Sequence, residues 1–171
     1  MATKTRSPFL QFAQNCQTLF TVSALPEDIG NTLSSLMKSV ITDPLFLDDC
    51  FGKGDWDGKK ILYEDPMYGF CICGHINQAY KESSPHHHGA SWAIYGQVAG
   101  ETEMTDWAMV SEAEGEEPGK VAKLRTYTLK PGDVYFYPVG AIHSPARTPG
   151  RLLRIEGQNL SQTGLCYFEP V

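Results

Sequence analysis

The sequence of 171 residues is long enough for one domain with a sizeable core, and its 42% hydrophobic and 20% charged residues are typical of a globular protein. The net charge of −6, without a basic stripe, argues against a nucleic-acid binder. No apolar run approaches the roughly 20 residues that a membrane helix needs. We therefore expect a single domain over residues 1–171 that neither binds nucleic acid nor associates with a membrane.

The cysteines and the N-terminus indicate a compartment. The five cysteines are odd in number and scattered along the chain. The first residues lack the apolar core and the small-residue cleavage pattern of a signal peptide. We therefore expect reduced thiols and a cytoplasmic protein.

Residues 8–50 are predicted to form a helical cap. Apolar residues recur at three- and four-residue spacing from Phe9 to Phe20, which gives one apolar face. A second helix is expected from Pro26, because proline suits the first helical turn. Asp43-Pro44 should end that helix, and a short third turn should follow at Leu45. We expect this block to cover one flank of a β-structure.

Residues 59–170 are predicted to form a β-barrel. Short apolar or alternating runs come every eight to twelve residues, separated by Gly, Pro, Asp and Asn. Many short strands without intervening helices predict a sandwich or a barrel. The strands are expected near 59–64, 67–76, 91–98, 101–110, 120–129, 133–137, 141–144, 151–157 and 164–169. The run from Glu112 to Glu117 is expected to be a solvated acidic loop.

Three histidines are candidate metal ligands. Successive side chains of an extended strand alternate, so His86 and His88 share a face while His87 points away. Two imidazoles at this spacing can hold one metal ion, and His143 is the candidate third ligand. A bare histidine triplet on a surface loop without metal is the alternative.

The segments around these histidines resemble the two motifs of the cupins. His86-x-His88 before a Gly-ended strand is similar to the first motif. Gly132, Pro138, Gly140 and His143 stand at the offsets of the second motif. The resemblance implies a mainly β cupin fold, which is a double-stranded β-helix or jelly-roll barrel, with the N-terminal helical cap added to it. It also implies that both motifs face one internal cavity.

One departure from the cupin pattern points to a branch of the superfamily. The first motif usually supplies a glutamate ligand that is separated from its second histidine by three or four residues, where this chain has Trp92 and Ala93. A set of three histidines without this carboxylate resembles the cysteine-dioxygenase-like thiol dioxygenases, which are mononuclear iron enzymes. This resemblance implies an oxidoreductase that adds O₂ to the sulfur of a small thiol, such as 3-mercaptopropionate or a cysteine analogue.

The other functional positions of that family depart from its pattern. Lys60 stands on the strand where members place a side chain for the substrate carboxylate. Ala93 stands where the animal enzymes have a cross-linked cysteine. Arg154 and Glu156 stand in place of the Ser-His-Tyr set of the family. Together with Lys60, they are the candidate catalytic residues. These departures put cysteine itself in doubt as the substrate.

The metal and the reaction have alternatives. Fe(II) suits oxygen chemistry, while Zn, Ni or another divalent ion also binds three histidines. Another metal-dependent cupin reaction, either cleavage of a diketone or isomerisation, competes with thiol oxidation. A non-catalytic cupin that binds a small ligand is the third hypothesis. The expected partners are a small-molecule substrate and O₂, and the expected assembly is a monomer or a homodimer.

Several neighbouring residues are predicted to be structural. His75 and His87 are expected not to bind metal, and Cys71 and Cys73 are expected to pack as small apolar residues. The aromatic residues of the barrel strands are expected to be mostly core, with one of them lining the pocket. They are Trp92, Tyr95, Tyr135 and Tyr137.

Overall fold

The computed structural model describes residues 7–22 and 26–171. Residues 1–6, which bear on the expected absence of an export signal, lie outside the described part. The helices are α1 (Pro8–Val22), α2 (Pro26–Val40), α3 (Pro44–Phe51) and α4 (Leu160–Thr163). The strands are β1 (Gly58–Glu64), β2 (Cys71–Asn77), β3 (Lys81–Glu82), β4 (His86–His87), β5 (Ala93–Ala99), β6 (Thr102–Ser111), β7 (Lys120–Leu129), β8 (Val134–Tyr137), β9 (Ile142–Arg147), β10 (Gly150–Glu156), β11 (Cys166–Tyr167) and β12 (Glu169–Pro170).

The strands form the predicted barrel. One sheet has the order β1-β2-β10-β5-β8, and the other has the order β11-β4-β9-β6-β7-β12, with β3 paired to β9. Side chains of the two sheets meet between them, as where Tyr127 Oη of β7 lies 2.5 Å from Tyr137 Oη of β8. The expected class, a mainly β jelly-roll barrel with an N-terminal helical region, is confirmed.

The first three helices begin and end where the sequence indicates. The Asp43 carboxylate accepts a hydrogen bond from the backbone N–H of Leu45 at 2.8 Å, and Pro44 occupies the first turn of α3. These features separate α3 from α2, as predicted, because a cap residue satisfies the free N–H groups of a helix start. No helix within residues 7–22 and 26–171 has the length and apolar character needed to cross a membrane.

The helices cover the outer face of the five-stranded sheet. Alternate residues of β10 point to opposite sides, so Leu153 and Ile155 join the core beneath the helices. Gly96 lets α2 approach β5, because a Cβ at this position would lie 2.5 Å from Met37 Sδ. Leu152 points the other way and joins a second cluster inside the barrel. The barrel interior therefore has one helix-backed wall.

The chain differs from the predicted elements before β2. The predicted strand at 67–76 begins only at Cys71. The buried carboxylate of Asp65 accepts hydrogen bonds from the backbone N–H groups of Met67 and Tyr68, at 2.9 and 2.7 Å. This side-chain capping fixes a turn where the strand was expected.

The C-terminal region differs as well. The predicted strand at 164–169 is two short strands, β11 and β12, which pair with β4 and β7. Helix α4 was not predicted; the Asn159 side chain caps it by accepting a hydrogen bond from the Ser161 N–H at 3.1 Å. The acidic run from Glu112 to Glu117 is exposed, as expected.

Candidate metal centre

Two short segments carry the three candidate histidines into the barrel. His86 lies on β4 and pairs directly with His143 on β9, and His88 follows β4 by one residue. Residues opposite each other in an antiparallel pair place their side chains on the same face. The strand register therefore brings two histidines from distant parts of the sequence side by side.

A tight turn sets the position of His143. Ala141 N–H donates to the Pro138 carbonyl at 3.1 Å, and Gly140 has a φ of 79°. A side chain is strained at this φ, so glycine suits the position. The fixed proline and glycine of the second motif thus start β9 at Ile142, so that His143 is its second residue and points its imidazole inward.

The three histidines form one compact group. The ring centroids of His143 lie 4.8 Å from those of His86 and of His88, and those of His86 and His88 are 5.6 Å apart. One ring nitrogen from each lies within 4.8 Å of the other two. At most 3% of each residue is exposed. The group is therefore an enclosed set of three nitrogen donors.

Backbone carbonyls fix the orientation of two of the rings. His86 Nδ1 lies 2.8 Å from the Ser84 oxygen, and His143 Nδ1 lies 3.2 Å from the Ala141 oxygen. A carbonyl oxygen accepts only, so each Nδ1 carries the proton, and Nε2 keeps its lone pair. A carbonyl in this role is the usual second partner of a metal-binding histidine.

Burial keeps the histidines neutral. Loss of solvent lowers the pKa of His86 to about 4 and that of His143 to about 3, and it lowers the pKa of His88 further. A neutral imidazole is the form that binds a metal. Within the described residues, this candidate metal-binding group consists of the three histidines and includes no carboxylate. These residues fit a divalent ion held by three neutral nitrogens.

Tyr95 adjoins the group; one of the four barrel aromatics was predicted to line the pocket, without an indication of which. Its Oη lies 3.3 Å from Nε2 of both His88 and His143, and it accepts a hydrogen bond from Arg154 Nη1 at 3.0 Å. The signal in the sequence was its place on the same face as Ala93 in a strand that follows the first motif. The packing of an aromatic ring explains that position equally well, so sequence alone did not single it out.

The candidate residues Arg154 and Glu156 lie in the barrel interior. Arg154 Nη2 donates to Glu156 Oε1, and Lys59 Nζ pairs with Glu156 Oε2 at 2.7 Å. Glu156 is fully buried. Its two oxygens are thus occupied by cations, which makes it an anchor for Arg154.

Lys60 does not lie in the cavity, contrary to the expectation. It pairs with Gly74 of β2 and is exposed, with its ammonium 5.9 Å from the centroid of the Trp56 ring. Lys59 is opposite His75 and faces inward. Neighbouring residues of a strand point to opposite faces. The lysine of this wall is therefore Lys59.

The histidines predicted not to bind metal stand outside the group of three. The His87 ring packs 5.3 Å from that of Phe168, and its Nδ1 accepts the Gly89 N–H. His75 is buried on β2.

The cysteines Cys71 and Cys73 of β2 are buried. Burial raises the pKa of the Cys71 thiol to about 11 and that of Cys73 to about 12, so both stay protonated at neutral pH.

No protein-family model and no curated protein matches the sequence. Among solved structures, the Cnp3 cupin domain of Schizosaccharomyces pombe is 15% identical with a TM-score of 0.45, and the match covers 61% of this chain and 66% of that one. A cupin-2 domain containing protein of Shewanella frigidimarina is 14% identical with a TM-score of 0.46, over 72% and 99% of the two chains. KdgF from Halomonas sp. is 21% identical with a TM-score of 0.41, over 57% and 75%. This chain thus spans just under two thirds of the Cnp3 domain, and likenesses at these levels assign no activity to it.

Proposed function

We propose that this protein is a mononuclear non-haem iron dioxygenase that oxidises the sulfur of a small thiol, and that His86, His88 and His143 hold the iron. The observation that carries the proposal is the enclosed group of three neutral imidazoles without a carboxylate. Such a set leaves the charge of a divalent ion uncompensated, which favours a thiolate as a further partner. In the reaction, both atoms of O₂ are added to the sulfur, and a thiol becomes a sulfinic acid.

The iron would supply adjacent open positions for the thiol and for O₂. Side chains of the protein position the reacting groups. Arg154 holds the Tyr95 hydroxyl next to the imidazoles of His88 and His143, where a hydrogen bond to a reacting group is available. Glu156 and Lys59 hold Arg154 in turn. The barrel walls exclude bulk water, which strengthens each of these electrostatic contacts.

Oxygen uptake tests the proposal. The protein is loaded with Fe(II) without oxygen, and O₂ consumption is followed with 3-mercaptopropionate and with cysteine, while mass spectrometry looks for a product with two added oxygens. His143→Ala serves as the control because it removes one predicted ligand. Thiol-dependent uptake in the wild type alone supports the proposal; no uptake with any thiol in an iron-loaded protein contradicts it.

A different metal-dependent reaction is the second candidate. It is favoured by Arg154 and Glu156, which stand where the thiol dioxygenases place their Ser-His-Tyr set. Oxygen uptake with a diketone, or isomerisation of a sugar without oxygen, would identify this reaction. A metal-loaded protein that binds small ligands but turns none of them over would be a non-catalytic cupin.

A further inference from the structure

Two arginines are buried inside the barrel, and their surroundings differ. Arg154 forms an ion pair with Glu156, whereas Arg147 on β9 forms no ion pair with a carboxylate of the described chain. Both are at most 8% exposed. Burial lowers the pKa of Arg147, which expresses the cost of a buried guanidinium without an anionic partner.

The charges in this part of the barrel do not balance. Four cations act on the buried His75, and they are Lys59, Arg147, Arg154 and the exposed Lys81. Glu156 is the carboxylate that pairs with Lys59 and Arg154. His75 adds no negative charge, and burial keeps it neutral. The buried Arg147 therefore remains without a carboxylate partner among the described residues.

Three polar atoms of these mutually interacting side chains have no hydrogen-bond partner in the described chain. They are Arg147 Nε, Arg154 Nε and His75 Nε2, and all three are buried. Most buried polar groups in proteins are hydrogen-bonded, so each exception calls for an explanation. All three can donate, since a neutral imidazole can carry its proton on Nε2.

Tyr95 does not account for these features. Its hydroxyl interacts with Arg147 as well as with Arg154, yet a single oxygen leaves both Nε atoms unmatched. Arg147 and His75 are each 8% exposed, so an anion bound there would be largely shielded from water. Uncompensated cations with free donors are the chemistry that binds an oxyanion.

We infer that Arg147, His75 and the Nε of Arg154 form a binding site for an oxyanion, meaning a carboxylate, phosphate or sulfonate group. The site adjoins the three histidines through Tyr95, which touches both arginines and two of those histidines. A substrate that binds there places its anionic end on the arginines and its reacting end toward the histidines. This last step rests on the proposed function, but the oxyanion site itself does not.

Calorimetry on the purified protein of residues 1–171 tests the site, with propionate, inorganic phosphate and methanesulfonate as probes. We expect saturable binding of at least one probe. Arg147→Met should weaken it by about tenfold or more, since it removes a charged hydrogen bond, and Arg147→Lys should weaken it less. Lys123→Met, which removes an exposed cation on β7, is the matched control and should bind as the wild type does.

The same titration in His143→Ala separates this site from the metal. Binding that persists in this variant belongs to the arginines, whatever the outcome of the oxygen-uptake test. Binding that disappears there, or that Arg147→Met leaves unchanged, overturns the inference. So does the absence of saturable binding with every probe.

Thermal unfolding guards against misfolded variants. Because Arg147 is an uncompensated buried charge, Arg147→Met should unfold at the same temperature as the wild type or higher without a probe. The probe that binds should raise the unfolding temperature of the wild type and not that of the variant. A variant that unfolds well below the wild type would show a structural arginine and overturn the inference.

Discussion

Tyr95 Oη lies 3.3 Å from His143 Nε2, the ring nitrogen that is left free when Nδ1 donates to the Ala141 carbonyl. The tyrosine comes from the helix-backed sheet and the histidine from the facing sheet. The contact therefore joins the two walls of the barrel at the candidate metal centre. It also connects the imidazoles to Arg154, whose Nη1 donates to the same hydroxyl.

Tyr95→Phe should slow the proposed reaction and lower stability while leaving the metal in place. The ring still fills its space, but the buried Arg154 Nη1 loses its acceptor, which costs about 1–3 kcal/mol of unfolding free energy. Oxygen uptake should fall about tenfold or more. Tyr135→Phe is the matched control, because its hydroxyl bonds the exposed Arg125. Equal kcat in Tyr95→Phe and wild type would show that the hydroxyl has no role.

Metal content should depend on His86, His88 and His143 and not on His87. His86→Ala, His88→Ala and His143→Ala should each lose nearly all of the metal found in the wild type, as measured by elemental analysis. His87→Ala should keep it, because His87 packs against Phe168 on the other side of its strand. Equal metal loss in all of these variants would contradict the ligand assignment.

The two neighbouring lysines of β1 should respond differently to substitution. Lys59→Met deprives the buried Glu156 of one of its two cationic partners, and we expect a loss of about 1–3 kcal/mol in urea denaturation. Lys60→Met should stay within about 0.5 kcal/mol, because its side chain is exposed. A larger loss for Lys60→Met than for Lys59→Met would refute the inward placement of Lys59.

The stability of the metal-free protein should fall on acidification. Burial lowers the pKa of His86 to about 4 and of His143 to about 3 from the ordinary 6.5, so the unfolded chain takes up protons first. The contribution of the neutral histidines is complete above pH 6.5 and is lost as the pH falls toward about 4 and then 3. Urea denaturation at about pH 7 and pH 5 measures this effect. His143→Asn should show a shallower dependence, and equal wild-type stability at both pH values would contradict the burial argument.

Local patterns were sufficient for most of the fold. Alternation and turn residues placed each described barrel strand of four residues or more, since such a strand shows its period and its ends in the sequence, whereas β3 and β4 were not predicted. The strand before Cys71 was predicted too early because the Asp65 side chain captures two backbone N–H groups there. A two-residue strand such as β4 shows no periodicity, so only its pairing with β9 and β11 defines it.

The sequence by itself determined the three candidate ligands, because His86, His88 and His143 stand in spacings that local geometry and the two motifs make recognisable. It did not determine which residues surround them. Lys59 and Lys60 are adjacent, and the strand register alone decides which one faces inward. Tyr95 and Arg147 come from different sheets, and only the closure of the barrel brings them together. Spacing along a strand is a local property, whereas the face that a strand turns inward depends on its partners.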